Sequence, residues 1–302
     1  MTSRRRGWLV SSAVLIGVVT VGVLIRAGST GDVARSPLPP VDFEAGVVHV
    51  HGLGVDPGDG TLFAATHSGL FRIPEEGPAV RVANREQDTM GFAITGPRQF
   101  IASGHPDRRE DDVRPPLLGL IESGDAGESW ERLSLHGAAD FHALQAAHGK
   151  VYGYDSTSGT FMVSADRRTW DRRARLVIGS FAVSPTDPEV LLATTQRGLT
   201  RSQDGGRTFD AEPSEPRAAL LAWPAALSLY VVDVDGTVRH SGDGGRTWAR
   251  RGAVGATPEA MTVSVRSGGE QVYIATVEGE ILLSTDGGKT FATRYKETRP
   301  SG

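Results

Sequence analysis

The 302-residue chain predicts an all-β fold, a single β-propeller of about six four-stranded blades preceded by one N-terminal transmembrane helix. Three observations carry this expectation. A short turn pattern recurs five times at a period near 40 residues, and apolar strand pairs recur six times at the same period. An uncharged run near the N-terminus has the length of a bilayer span. Composition agrees: 38 glycines and 17 prolines with only 39% hydrophobic residues suit many short strands joined by tight turns.

In chain order, Arg4, Arg5 and Arg6 precede Trp8 to Ile25, a run without charge that Arg26 closes. Eighteen residues rise about 27 Å as a helix, enough to cross the hydrocarbon core. The arginine cluster holds residues 1–7 in the cytoplasm, so 8–25 reads as a signal anchor and everything beyond it as extracytoplasmic. Arg5-Arg6-Gly7-Trp8-Leu9 is similar to a twin-arginine export signal, with ordinary Sec export as the alternative. Residues 26–46, with Pro37, Pro39 and Pro40, form a flexible spacer, and 47–297 form the propeller. The expected location is the bacterial cytoplasmic membrane, single-pass, with the C-terminal domain outside.

The five turn copies are Ser123-Gly-Asp125-Ala-Gly127-Glu-Ser129-Trp130, Ser164-Ala-Asp166-Arg-Arg-Thr169-Trp170, Ser202-Gln-Asp204-Gly-Gly206-Arg-Thr208-Phe209, Ser241-Gly-Asp243-Gly-Gly245-Arg-Thr247-Trp248 and Ser284-Thr-Asp286-Gly-Gly288-Lys-Thr290-Phe291. Their aspartates lie 41, 38, 39 and 43 residues apart. Each residue type has a task in a hairpin between outer strands. The carboxylate accepts backbone N–H bonds, glycine takes a positive φ, threonine restarts the strand, and the aromatic ring packs between blades. The copy at 164–170 lacks the glycine pair and is one residue short, which predicts a tighter turn. Inner strands are expected to begin near His51, Met90, His142, Ser180, Leu220 and Ala260. Their partners are expected at Leu62–Thr66, Gln99–Ser103, Val151–Tyr154, Val190–Thr194, Leu229–Val232 and Val272–Thr276. A charged, proline-rich loop from His105 to Pro116 interrupts the second blade.

From Val48 to Phe291 these copies resemble the Asp-box, or bacterial neuraminidase repeat, of sialidase, sortilin and photosystem-assembly-factor propellers. His49-Val-His51-Gly-Leu53, Met90-Gly91-Phe92, Ser103-Gly-His105-Pro106 and Asp140-Phe-His142-Ala-Leu144 resemble a group of exported actinobacterial proteins labelled sialidase- or glycosyl-hydrolase-like. The resemblance implies a glycosidase as one reading, and Phe71-Arg72-Ile73-Pro74 spells the sialidase motif that supplies a substrate-binding arginine. Here Arg72 falls on a third strand, near the blade's middle. The other arginines of a carboxylate grip and an activated tyrosine nucleophile are not found at matching positions.

Charge and composition exclude other classes. A balance of 32 basic and 36 acidic residues leaves no field to draw in nucleic acid. With no cysteine, thiolate catalysis, disulfides and zinc–thiolate sites are excluded. Inner-strand starts and second-strand ends share one face of the ring, opposite the Asp turns, and five of the eight histidines fall there. His49, His51, His67, Met90, His105 and His142 are therefore the expected metal ligands. His49 and His51 alternate along a strand, which aims both imidazoles one way. Imidazoles suit copper and zinc, and a thioether tilts the preference to copper. The function expected is an exported binding module for a metal ion, a metalloprotein or a cell-envelope partner. The alternative is a glycoside hydrolase of envelope glycans with Asp140, Asp155 or Glu278 as acid/base groups.

Overall fold

The structure, a computed structural model, describes residues 46–107, 109, 116–210 and 215–297. The basic N-terminus, the expected membrane span and the spacer as far as residue 45 lie outside the described residues, as do 108 and 110–115 of the charged loop. Among the described residues no helix is long and apolar enough to cross a membrane.

Six antiparallel sheets follow one another in chain order, each built from a contiguous stretch with its strands in sequence order. The inner strands are Val50–Val55, Asp88–Gly96, Phe141–Ala147, Phe181–Val183, Ala218–Ala225 and Pro258–Arg266. Each packs on the next, and the last returns to the first, which closes a six-bladed ring. Five blades have four strands; blade four shows three, and residues 211–214, which follow its Asp turn, lie outside the described set. The sequence places the second strands well: Leu62–Thr66 is matched to the residue, and Lys150–Asp155, Leu191–Thr195 and Ser228–Asp233 differ by a residue at each end. These strands are nearly or wholly buried, because a blade's second strand is covered by a neighbouring blade on both faces.

The core divides into six apolar clusters, one per blade junction. Phe63, Phe92 and Phe100 fill the junction of blades one and two, and Tyr152, Phe161 and Phe181 that of blades three and four. The aromatic residue of every Asp turn enters the junction with the preceding blade: Trp130, Trp170, Phe209, Trp248 and Phe291 each pack there. In the turn itself, Asp243 Oδ1 accepts from Thr247 N at 2.9 Å and Arg246 N at 3.0 Å, Oδ2 accepts from Thr247 Oγ1 at 2.6 Å, and Ser241 Oγ accepts from Gly245 N at 2.8 Å. The short copy is the tighter turn expected: Arg168 N and Thr169 N both reach Asp166 Oδ1, and Arg167 takes a left-handed φ of 63° where three copies use glycine and the first uses Ala126. Guanidinium groups bind the turns of following blades: Arg201 donates to Gly244 O and Arg251 to Gly287 O.

Blade one has no such turn, so the closing junction is held differently. Val47, Val50, Leu53, Tyr273, Ile281 and Tyr295 form its core. Two glutamates of blade six grip the entering chain, Glu297 Oε2 accepting from Val47 N at 2.8 Å and Glu259 Oε2 from Val50 N at 3.0 Å. Arg294 completes the seam by donating to Ile73 O and Pro74 O.

Candidate functional site

Register places the site. In five blades the inner strand carries a bulge one or two residues after its start: His51 is skipped between the pairs Val50–Thr66 and Gly52–Ala65, and Met90 between Thr89–Gly104 and Gly91–Ser103. His142, Ala219 and Glu259 are skipped in the same way. Ser180 takes this place in blade four, where Ser180 N donates to Thr194 Oγ1. A bulge frees one residue from the ladder and re-aims its side chain. His51, Met90, His142, Ser180, Ala219 and Glu259 thus occupy one equivalent position at the start of the inner strand, one per blade. The central channel has a volume of about 430 Å³, and His51, His142, Ser180 and Glu259 are among its lining residues.

Asp88, at the start of the second inner strand, is the hub on blades one and two. His67 Nδ1 lies 3.0 Å and His105 Nδ1 3.2 Å from its Oδ2, while His51 Nε2 stands 3.6 Å from its Oδ1. His51 Nε2 and Asp88 Oδ1 are buried and make no hydrogen bond. One donor atom each from His51, His67 and Asp88 lie within 4.8 Å of one another. Two donors on a tetrahedral ion with bonds near 2.1 Å stand ~3.4 Å apart, so the 3.6 Å gap between the two orphaned atoms has the width of an ion. Burial lowers the His51 pKa; the Asp88 carboxylate opposes this, and the neighbouring His67, His142 and His49 add to it. The ring is therefore neutral at pH 7, as a metal ligand must be.

Asp140 is a second hub on blade three. His142 Nε2 binds its Oδ2 at 2.8 Å, and His105 Nε2 approaches the same oxygen at 3.8 Å, so His105 stands between both carboxylates. Burial pushes the Asp140 carboxyl upward, but the His142 hydrogen bond, the His142 and His105 charges and the Ser156 hydroxyl outweigh it and leave the pKa lowered. Its Oδ1 is buried without a partner.

The remaining expected residues fall elsewhere. His49 precedes the strand with a left-handed φ of 52° and pairs with Glu259 at 3.6 Å, so it does not share a direction with His51 as strict alternation would require. Asp155 staples its own turn, accepting from Asp140 N, Thr157 N and Ser158 Oγ. Glu278 is exposed on a blade-six turn. Arg72 lies between Glu128, at 3.4 Å, and the Phe63 ring, outside the channel. Sequence reasoning missed Asp88 and Glu259. A signal for Asp88 is present: Asp88-Thr-Met90 repeats the spacing of Asp140-Phe-His142, an acid two residues before the bulge.

Fold and mouth together define the class, a six-bladed β-propeller with an acidic, histidine-rich mouth to its channel. Solved structures agree on the fold. The chain is similar to a GH74 xyloglucanase from Xanthomonas campestris, with a TM-score of 0.53 and 17% identity over 83% of this chain and 38% of that one. It is also similar to the WD40 propeller domain of Doa1, with a TM-score of 0.54 and 11% identity over 83% of each chain. A chain of a nidogen/laminin complex matches with a TM-score of 0.57 and 13% identity, over 77% of this chain and 92% of that one. At these identities the likeness is one of fold, and the chain spans only 38% of the xyloglucanase. No protein-family model and no curated protein matches the chain.

Proposed function

We propose that this protein is an exported, membrane-anchored binding module of the Asp-box type that holds a divalent transition-metal ion at the mouth of its propeller. The observation that carries the reading is the convergence of His51, His67 and Asp88, with two orphaned donor atoms facing each other across 3.6 Å. Two imidazoles and a carboxylate favour borderline divalent ions, Cu(II) first by the Irving–Williams order and Zn(II) next. Three protein ligands leave a position open, the arrangement of an ion that exchanges ligands and not of a closed structural site. His105 supports Asp88 from behind, as outer partners of metal ligands do. Anchoring rests on the uncharged run 8–25 and places the module outside the cytoplasm.

Glycoside hydrolysis is the alternative, and it draws less support. Both Asp155 oxygens are engaged in hydrogen bonds, Glu278 sits on another blade, and among the described residues no arginine or tyrosine lines the channel. The test is elemental analysis and calorimetry on full-length protein purified without an affinity tag. One equivalent of Cu(II) or Zn(II) is expected, with loss of binding in Asp88→Asn. A wild type that holds no ion, or an Asp88→Asn variant that binds as tightly, rejects the reading.

A further inference from the structure

We infer that His51, Met90 and His142 form a second, softer donor set that holds Cu(I) and shares His51 with the divalent site. The inference rests on the metal reading above and extends it to a second oxidation state. Three observations support it. First, these residues occupy the same bulge position on three consecutive inner strands, each packed on the next, so the fold gives three adjacent blades an imidazole, a thioether and an imidazole at equivalent places. Second, Met90 has no packing task. It is half-buried and belongs to none of the six apolar clusters, whereas Met162 lies in the core of one and Met261 packs against another. A methionine that fills no gap in the core leaves its sulfur for other chemistry.

Third, the tautomer of His142 is set by its neighbour. Asp140 Oδ2 stands 2.8 Å from Nε2, and a carboxylate that accepts there holds the proton on Nε2 and makes Nδ1 the lone-pair nitrogen. A carboxylate behind an imidazole is the usual support for a metal-bound histidine. His51 Nε2 already lacks a partner. The two sets differ in softness. Asp88 and His67 complete a nitrogen and oxygen set for a divalent ion, and Met90 and His142 complete a nitrogen and sulfur set, which selects Cu(I). Sharing His51 makes the sets exclusive, so one ion is held at a time and its oxidation state decides where. No electron transfer is required of the protein itself; each state binds as supplied.

Cu(I) affinity, measured under ascorbate by competition with bicinchoninate, and Zn(II) affinity, measured by calorimetry, separate the two sets on the full-length chain. Met90→Leu conserves volume and should melt as wild type. It should weaken Cu(I) by about tenfold or more and leave Zn(II) unchanged. His67→Gln should do the reverse. X-ray absorption of the Cu(I) form should show a sulfur shell that Met90→Leu lacks. Wild-type Cu(I) affinity in Met90→Leu overturns the inference, as does a His67→Gln variant that weakens both ions equally. A wild type that takes Cu(I) through Met90 but no divalent ion overturns the shared site, while an Asp88→Asn variant with intact Zn(II) binding strikes only the divalent reading.

Discussion

Gly153 tests whether the packing beside the site is as close as the structure requires. It lies on the second strand of blade three, and a Cβ there would stand 2.6 Å from Cδ1 and Cε1 of Phe141 and 3.2 Å from Leu144 Cδ2. Carbon atoms pack at ~3.5 Å or more, so the Phe141 ring must retreat by roughly 0.9 Å in Gly153→Ala. It has nowhere to go. Phe141 is fully buried among Ile101, Leu120, Val151 and Met162, with the Trp170 ring 4.7 Å away, centre to centre. Overpacking of this kind costs about 1–3 kcal/mol, and a ring boxed on every side puts the variant at about 2–3 kcal/mol. For a domain of this size that lowers the melting temperature by about 4–12 °C. Because Phe141 precedes His142, Cu(I) affinity should fall with stability. Gly96→Ala is the control, since its Cβ meets nothing closer than Gln99 at 3.8 Å. Scanning calorimetry decides: a Gly153→Ala protein that melts within about 1 °C of wild type refutes the packing argument.

Three further outcomes are expected. The turn aspartates make the propeller acid-labile: hydrogen bonds hold Asp125 and Asp204 at about 2, and Asp166, Asp243 and Asp286 lower still. A depressed carboxyl contributes stability above its unfolded value of about 3.9 and loses it as pH falls towards the folded one, so the turns' contribution should hold from pH 7 to 5 and melting should drop steadily below about 4. A melting temperature unchanged down to about pH 2.5 contradicts this. Removing blade six from Pro258 onward takes away Glu259, Glu297 and five of the twelve buried residues of the closing core, and should unfold the whole ring; a compact five-bladed fragment on analytical gel filtration speaks against cooperative closure. Fluorogenic sialosides should not be turned over, and cleavage that vanishes in Arg72→Ala reverses the placement of Arg72 outside the channel.

What the sequence disclosed follows from how local each signal is. A turn such as Ser241 to Trp248 is written in eight consecutive residues, and every bond it makes within itself is between near neighbours, so its period shows the blades directly. Second strands such as Leu62–Thr66 were equally legible, since burial on both faces demands an unbroken apolar run. The mouth was legible in part. His51, His67, His105 and His142 converge as their places in the repeat suggest, because repeat position is again periodic. The direction of His49 was not legible, because it depends on a left-handed residue just outside the strand and on Glu259, more than 200 positions away. Asp88 escaped notice for a related reason: its role is set by imidazoles from two blades, and its one local mark, the spacing it shares with Asp140-Phe-His142, shows only when two blades are compared.

A ring of near-identical blades presents near-identical positions at its mouth, and a bulge makes each of them available without disturbing the sheet behind. Function then depends on what occupies six equivalent places. Here four adjacent blades carry Glu259, His51, Met90 and His142, while the other two carry Ser180 and Ala219, so the donors gather on one arc and the opposite arc stays open. The acids behind that arc follow the same logic. Asp88 and Asp140 each stand two residues before a bulge, where the entering chain turns inward, and each holds an imidazole from its own blade. His105 bonds one and approaches the other, which joins the two hubs across a blade junction. The repeat supplies the frame, and departures from the repeat supply the chemistry. An exchange that moves a donor to the open arc, such as Ala219→His with His142→Ala, should therefore leave the fold intact and abolish the Cu(I) set. Equal Cu(I) affinity in that double variant would mean that any histidine at the mouth suffices and that the arc has no special geometry.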